Sequence, residues 1–299
     1  MTLVRNSLGR SIGSRLIGLA AAAAVAAMAF ASAASAETTL EKIKREGTIK
    51  IGIFNEVPAG YVTEDGKITG ESPEVLRAVL DDMGGIEMEA FITDEFGALI
   101  PGLIAGRFDI IAAGLYINPK RCEQVGFTRP TARYGEAIVV LKGNPMNIHS
   151  YEDVRDNPAA IMAAATGGMQ SKYSEASGIP SDRILLVPNY PTALAALRSG
   201  RAHAVGAPAT VAQAMLAETG EDDVVLADPF VHPTFEGKEA IAYAGLAVRK
   251  GDEDLLAAIN GSLDKIVNTP MHLAMIEPFG FGAEQMPGDK PLSEICTGM

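Results

Sequence analysis

The chain has 299 residues, with 25 basic and 37 acidic side chains and a net charge of −12. Such acidity disfavours nucleic acid and anionic membrane surfaces as partners. Its four His and two Cys show no metal-ligand spacing, and H-E-x-x-H, C-x-x-C and G-x-G-x-x-G patterns are missing, so neither metal nor cofactor is expected.

Residues 1–36 read as a cleavable signal peptide. Arg5, Arg10 and Arg15 form a basic start, Leu16 to Phe30 an apolar run, and Ala34-Ser35-Ala36 a small-residue cleavage site before Glu37. Removing them leaves 263 residues carrying 22 basic and 37 acidic side chains, a net of −15. That length suits two lobes of ordinary domain size in an exported, periplasmic protein. Cys122 and Cys296 then either bridge or stay as two free buried thiols; the oxidising compartment and the even count favour the disulfide.

A short helix over 39–47 leads into an alternating strand, Thr48 to Ile53. The loop after it carries Glu56, which either faces a ligand cation or is a solvated loop acid. A turn at Gly66–Gly70 precedes a helix from Ser72 to Met83, with Val75, Leu76, Val79 and Leu80 at helical spacing. Met88 to Ile92 is the next strand. It ends near Phe96, either a mouth aromatic or an ordinary core ring. Ile110 to Ala113 is a buried strand closed by Gly114, with Tyr116 in the turn. Asn118 caps a helix with Pro119 at its first position, which places Arg121 in the first turn. Open α/β sheets bind ligands at that edge, where Arg can hold a carboxylate by a bidentate pair.

Phe127 and Tyr134 read as core. Glu136 to Leu141 is a strand broken by Lys142-Gly143-Asn144-Pro145, the expected first crossing between lobes; Tyr243 to Lys250 is the expected return. The division is thus 40–142 and 244–299 for lobe 1 and 143–243 for lobe 2. In lobe 2, Ser150 and Asp153 open a helix. Ile161 to Ala165 is a strand, and Thr166-Gly167-Gly168-Met169-Gln170 is a Gly-rich turn before a helix. Gly168 and Met169 either offer backbone N–H groups to an anion or form a plain tight turn. Asn189, at the end of the strand Ile184 to Val187, is a further candidate for ligand hydrogen bonding.

Gly106-Arg107-Phe108-Asp109, the strand, the turn ending in Arg121, and Phe127-Thr128-Arg129-Pro130 together resemble the type 3 solute-binding proteins of ABC importers. The resemblance covers Leu40 to Phe281, and AAGLYINPKRC is similar to the ectoine/hydroxyectoine-binding branch. It implies an α/β, two-lobed periplasmic binding protein fold (type II), each lobe a mixed sheet flanked by helices, with the ligand cleft between lobes. It also implies a monomer that delivers a small zwitterion to an inner-membrane ABC permease, and no enzymatic activity. In the family the arginine matching Arg121 grips a carboxylate, and the turn at Gly168 and Met169 faces it. Two positions depart from the pattern. Ala59 stands where the ectoine branch has an aromatic residue, leaving Tyr61 as the replacement ring. Pro208 stands where amino-acid binders carry an Asp for the α-ammonium. The ligand expected is therefore ectoine, hydroxyectoine or a similar zwitterion, held by Glu56, Tyr61, Phe96, Tyr116, Arg121, Gly168, Met169 and Asn189. A polar amino acid, an opine or a betaine is the alternative. A periplasmic lyase of the cyclohexadienyl dehydratase type, with Glu56 as acid/base, is the alternative of another class.

Overall fold

Two five-stranded mixed sheets share one pattern of strand order. The computed structural model describes residues 37–297 apart from 94, 220–222 and 236–237, so the signal-peptide reading lies outside the described residues. In the first sheet Glu87–Ile92, Thr48–Ile53 and Ile110–Ile111 run parallel, followed by Ala247–Arg249, which is antiparallel to both its neighbours, and Val125–Phe127. The second sheet repeats this with Ile184–Val187, Met162–Ala165 and Ala204–Pro208 parallel, then Glu136–Leu141 antiparallel, then Val224–Leu226.

The repeat has a topological cause. In each sheet the antiparallel strand is the first one laid down after the chain arrives from the other sheet. The crossings themselves form a two-stranded antiparallel ribbon, Ala132–Tyr134 against Ala242–Ala244. This corrects one expectation. Glu136–Leu141, assigned from the sequence to the first lobe, belongs to the second sheet. Only Gly135 separates Ala132–Tyr134 from Glu136–Leu141, so the change of sheet occurs inside extended chain. The Lys142–Pro145 turn signal lies beyond it. Tyr243 to Lys250 likewise divides into Ala242–Ala244 in the ribbon and Ala247–Arg249 in the first sheet.

Apolar periodicity places the cores. Ile49, Ile51 and Ile53 are completely buried and meet Val75, Leu76, Val79 and Leu80 of the helix Glu71–Asp82, with Leu255, Ile259 and Leu263 of the helix Glu253–Ile266. A separate cluster in the second sheet joins Val139, Ala163, Val205 and Ala207 to Ala193, Leu197 and Val211. Burying each large aliphatic side chain contributes ~1.5–3 kcal/mol to holding its layers together. Phe127 and Tyr134 are core residues as expected. Among the described residues, no helix is long and apolar enough to cross a membrane.

Candidate functional site

Local chain chemistry positions the first wall. After the strand Ile110–Ile111 the chain turns at Gly114, whose φ is 61°. A Cβ there would lie 3.0 Å from both the Ala59 methyl and the Tyr134 hydroxyl, so the turn needs glycine on two counts. Ser72 Oγ accepts from Gly114 N–H at 2.9 Å, and Ser72 in turn donates to Glu71 at 2.7 Å. Tyr116 follows and bridges to Ala244. Asn118 then caps the helix Pro119–Cys122 by accepting from Arg121 N–H at 3.0 Å, as its residue type and the following proline predict.

Arg121 is buried, and its guanidinium is held by backbone carbonyls. Nη1 donates to Tyr116 O at 2.7 Å and Nη2 to Gly167 O at 3.0 Å, on the far wall. Phe96 lies beneath it, with the guanidinium carbon 5.6 Å from the ring centroid. Desolvation lowers the Arg121 pKa to about 10, which leaves it charged at neutral pH. Among the described residues no carboxylate pairs with it. Behind this helix the Cys122–Cys296 disulfide ties it to the C-terminal helix Leu292–Thr297, which excludes the free-thiol reading.

The second wall approaches closely. Gly167 has φ 80°, and a Cβ on it would come within 2.5 Å of Gly97 Cα, so the loops of the two sheets touch through two glycines. Gly168 caps the helix Met169–Ala176 and its own N–H is spent on Ala165 O at 3.0 Å. The groups open to an anion are therefore the first-turn amides of that helix, which have no intrahelical acceptor. Between the walls lies a narrow cleft. Glu56, Phe96, Gly114, Tyr116 and Arg121 line it from one side and Ala165, Gly168, Met169, Gln170, Tyr190 and Pro208 from the other. A wider groove adjoins it, sharing Glu56 and Tyr190.

Six expected residues thus meet in one place: Glu56, Phe96, Tyr116, Arg121, Gly168 and Met169. Two do not. Tyr61 lies in a small ribbon with Ile68–Thr69, away from the cleft lining. Asn189 borders the wider groove, and its side-chain oxygen is engaged by Thr192 N–H at 3.0 Å and Thr192 Oγ1 at 2.7 Å as a helix cap. The residue after it, Tyr190, enters the cleft instead. Tyr190 and Gln170 escaped the sequence reading. The one available signal was an aromatic residue directly behind an Asn cap at a strand's C-terminal edge.

Three carboxylic acids surround the site, with no cationic partner among the described residues. Glu56 is only half-buried as a residue, yet desolvation pushes its carboxyl up to about 8. Glu136, also raised to about 8 by burial, takes hydrogen bonds from Gln170 Nε2 at 3.0 and 3.3 Å, with Tyr116 Oη 3.5 Å away. Glu71 is raised to about 7 by burial and accepts from Ser72 and Tyr134. A group whose folded pKa lies above its unfolded value contributes most below the unfolded value, and that contribution is lost as pH rises through the folded one. Each tenfold change in proton affinity on folding corresponds to ~1.4 kcal/mol of stability. Urea denaturation is therefore expected to show falling stability from pH 5 to 8.5, and Glu71→Gln should flatten that fall. Stability rising over this window would contradict the burial of these acids.

The family model for bacterial extracellular solute-binding proteins, family 3, matches residues 49–279. A probable amino-acid ABC transporter periplasmic-binding protein, y4tE, of Sinorhizobium fredii (strain NBRC 101917 / NGR234) is 37% identical over 264 residues, 87% of this chain and 86% of that protein. The crystal structure of EhuB in complex with hydroxyectoine superposes with a TM-score of 0.80 at 35% identity, covering 88% of this chain and 99% of that one. The ancestral amino acid-binding protein AncCDT-1, a precursor of cyclohexadienyl dehydratase, gives a TM-score of 0.69 at 28% identity, covering 81% and 99%.

Proposed function

The chain belongs to the bacterial extracellular solute-binding proteins, family 3, and from that premise we propose that it captures ectoine, hydroxyectoine or a closely similar small zwitterion for an inner-membrane ABC permease. The observation that carries this reading is Arg121: a buried guanidinium with no carboxylate partner among the described residues, set opposite rings and an acid in a small cleft. Arg121 and the first-turn amides of the helix Met169–Ala176 take the ligand's carboxylate. Each charge-assisted hydrogen bond contributes ~1.5–3 kcal/mol. Phe96 is occupied in supporting the guanidinium, so Tyr116 and Tyr190 serve the ligand's positive end, at up to about 2 kcal/mol per desolvated cation–π contact. Tyr190 takes the part first assigned to Tyr61 as the ring that Ala59 lacks. Glu56 offers a carboxyl oxygen to the N–H groups of the ligand's positive end, and Pro208 presents no acid to a free α-ammonium. A delocalised ring cation suits this wall better than a compact ammonium.

Calorimetric titration tests the reading. Ectoine or hydroxyectoine is expected to bind at least tenfold more tightly than glutamine, arginine or cystine. Tight binding of a common amino acid with none of ectoine would overturn it. The resemblance to EhuB supports this ligand, since that protein is the one crystallised with hydroxyectoine. Glu56, an acid raised to about 8 at the cleft, is what a lyase would use as general acid or base. Turnover of prephenate or arogenate by the purified protein would transfer the assignment to that class.

A further inference from the structure

Glu136 does not itself line the cleft, yet two residues that do are tied to it. It is the first residue of the strand Glu136–Leu141, stands directly across from Pro208 in the sheet register, and is 1% exposed. Gln170 Nε2 donates to both of its oxygens, and the Tyr116 hydroxyl is 3.5 Å from one of them. With its NH₂ held there, Gln170 turns its carbonyl the other way. That oxygen is 3.0 Å from where a Cβ on Gly168 would sit, at the cleft-lining turn. The acid thereby fixes the orientation of the Gln170 amide and leaves its acceptor end at this turn, suited to N–H groups and unsuited to a second carbonyl or carboxylate.

The other groups around Glu136 do not neutralise it. Tyr116 faces it from the first-sheet side, Tyr173 from the helix that carries Gln170, Tyr151 from the helix Tyr151–Asp156, and Tyr190 from the helix Tyr190–Arg198. None is cationic. Resting on the ligand-capture reading above, we propose that Glu136 is a positioning residue that selects a positively charged N–H end in the ligand through Gln170 and Tyr116, and that it ionises when that end arrives. Its carboxyl proton passes to solvent as the ligand's charge takes its place. Burial holds the carboxyl at about 8, so this release occurs at neutral pH. One proton released makes affinity rise by up to about tenfold for each step of one in pH below that value.

The experiment is calorimetry of wild type and Glu136→Gln with two probes, ectoine and L-glutamine, at pH 6, 7 and 8, in buffers of different ionisation enthalpy. For whichever probe binds, Glu136→Gln is expected to weaken affinity at pH 8 at least tenfold and to reduce the protons released at pH 6 by close to one per site. Equal proton counts and equal affinities would overturn the inference. Binding of glutamine alone removes the ectoine reading while the Glu136 comparison is still made on the glutamine ammonium. Binding of neither removes both. Should melting show Glu136→Gln to be unfolded, Gln170→Met cuts the same link while keeping the acid. An unchanged affinity in that variant would equally overturn the inference.

Discussion

Arg121→Ala is expected to weaken capture of every carboxylate-bearing ligand by roughly 30-fold to several thousand-fold. The range follows from the ~2–5 kcal/mol typical of truncating one partner of a buried, hydrogen-bonded charge pair, at ~1.4 kcal/mol per factor of ten. The guanidinium has three tasks at once: Nη1 on Tyr116 O, Nη2 on Gly167 O, and its face on Phe96. Arg121→Lys keeps the charge but has no planar fork, so it cannot span both carbonyls and still present N–H groups to a ligand. It is expected to lose most of the same affinity. Titration of both variants with ectoine decides the matter. Wild-type affinity in Arg121→Ala would remove the carboxylate role of this residue.

Removal of the disulfide is the second large effect. The bridge joins residues 174 apart in sequence, and loss of a native disulfide costs about 2–5 kcal/mol, with long closed loops at the upper end. The double variant Cys122→Ser/Cys296→Ser is therefore expected to melt at least about 5 °C lower, at ~2–4 °C per kcal/mol for a protein of this size. Function should suffer as well. The helix Leu292–Thr297 has no buried residue of its own and packs through Leu292, Ile295 and Cys296 on a cluster that includes Leu99, Phe108 and Phe127. The helix Pro119–Cys122, which holds Arg121, is only four residues long. Untethered from behind, that turn samples more conformations, and ectoine affinity should drop several-fold. Scanning calorimetry of the oxidised, reduced and double-variant proteins measures the first effect; equal melting temperatures would show that the bridge contributes no stability.

Much of this protein was legible in residue order because its signals are local. Asn118 and Ser150 announce their helices through a side chain that reaches the backbone N–H three residues on, and both caps form. The alternation Ile49, Ile51, Ile53 declares a strand, and the spacing Val75, Leu76, Val79, Leu80 declares the helix that covers it. Arg121 was placed by a cap and a proline three and two residues before it. What the tertiary structure alone decided involves residues whose partners lie far along the chain. Tyr61 and Tyr190 are equally plausible rings by type, but only the packing of the second sheet on the first brings Tyr190 to Tyr116 and Arg121. Glu136 reads as an ordinary strand residue, and nothing near it in sequence tells that Gln170, 34 residues later, will bind both its oxygens in a buried site. The crossing at Gly135 is equally silent, because an extended strand that changes sheets leaves no turn residue behind. A cap is completed within one turn of helix, whereas an acid's burial and charge are set by whatever the fold lays over it.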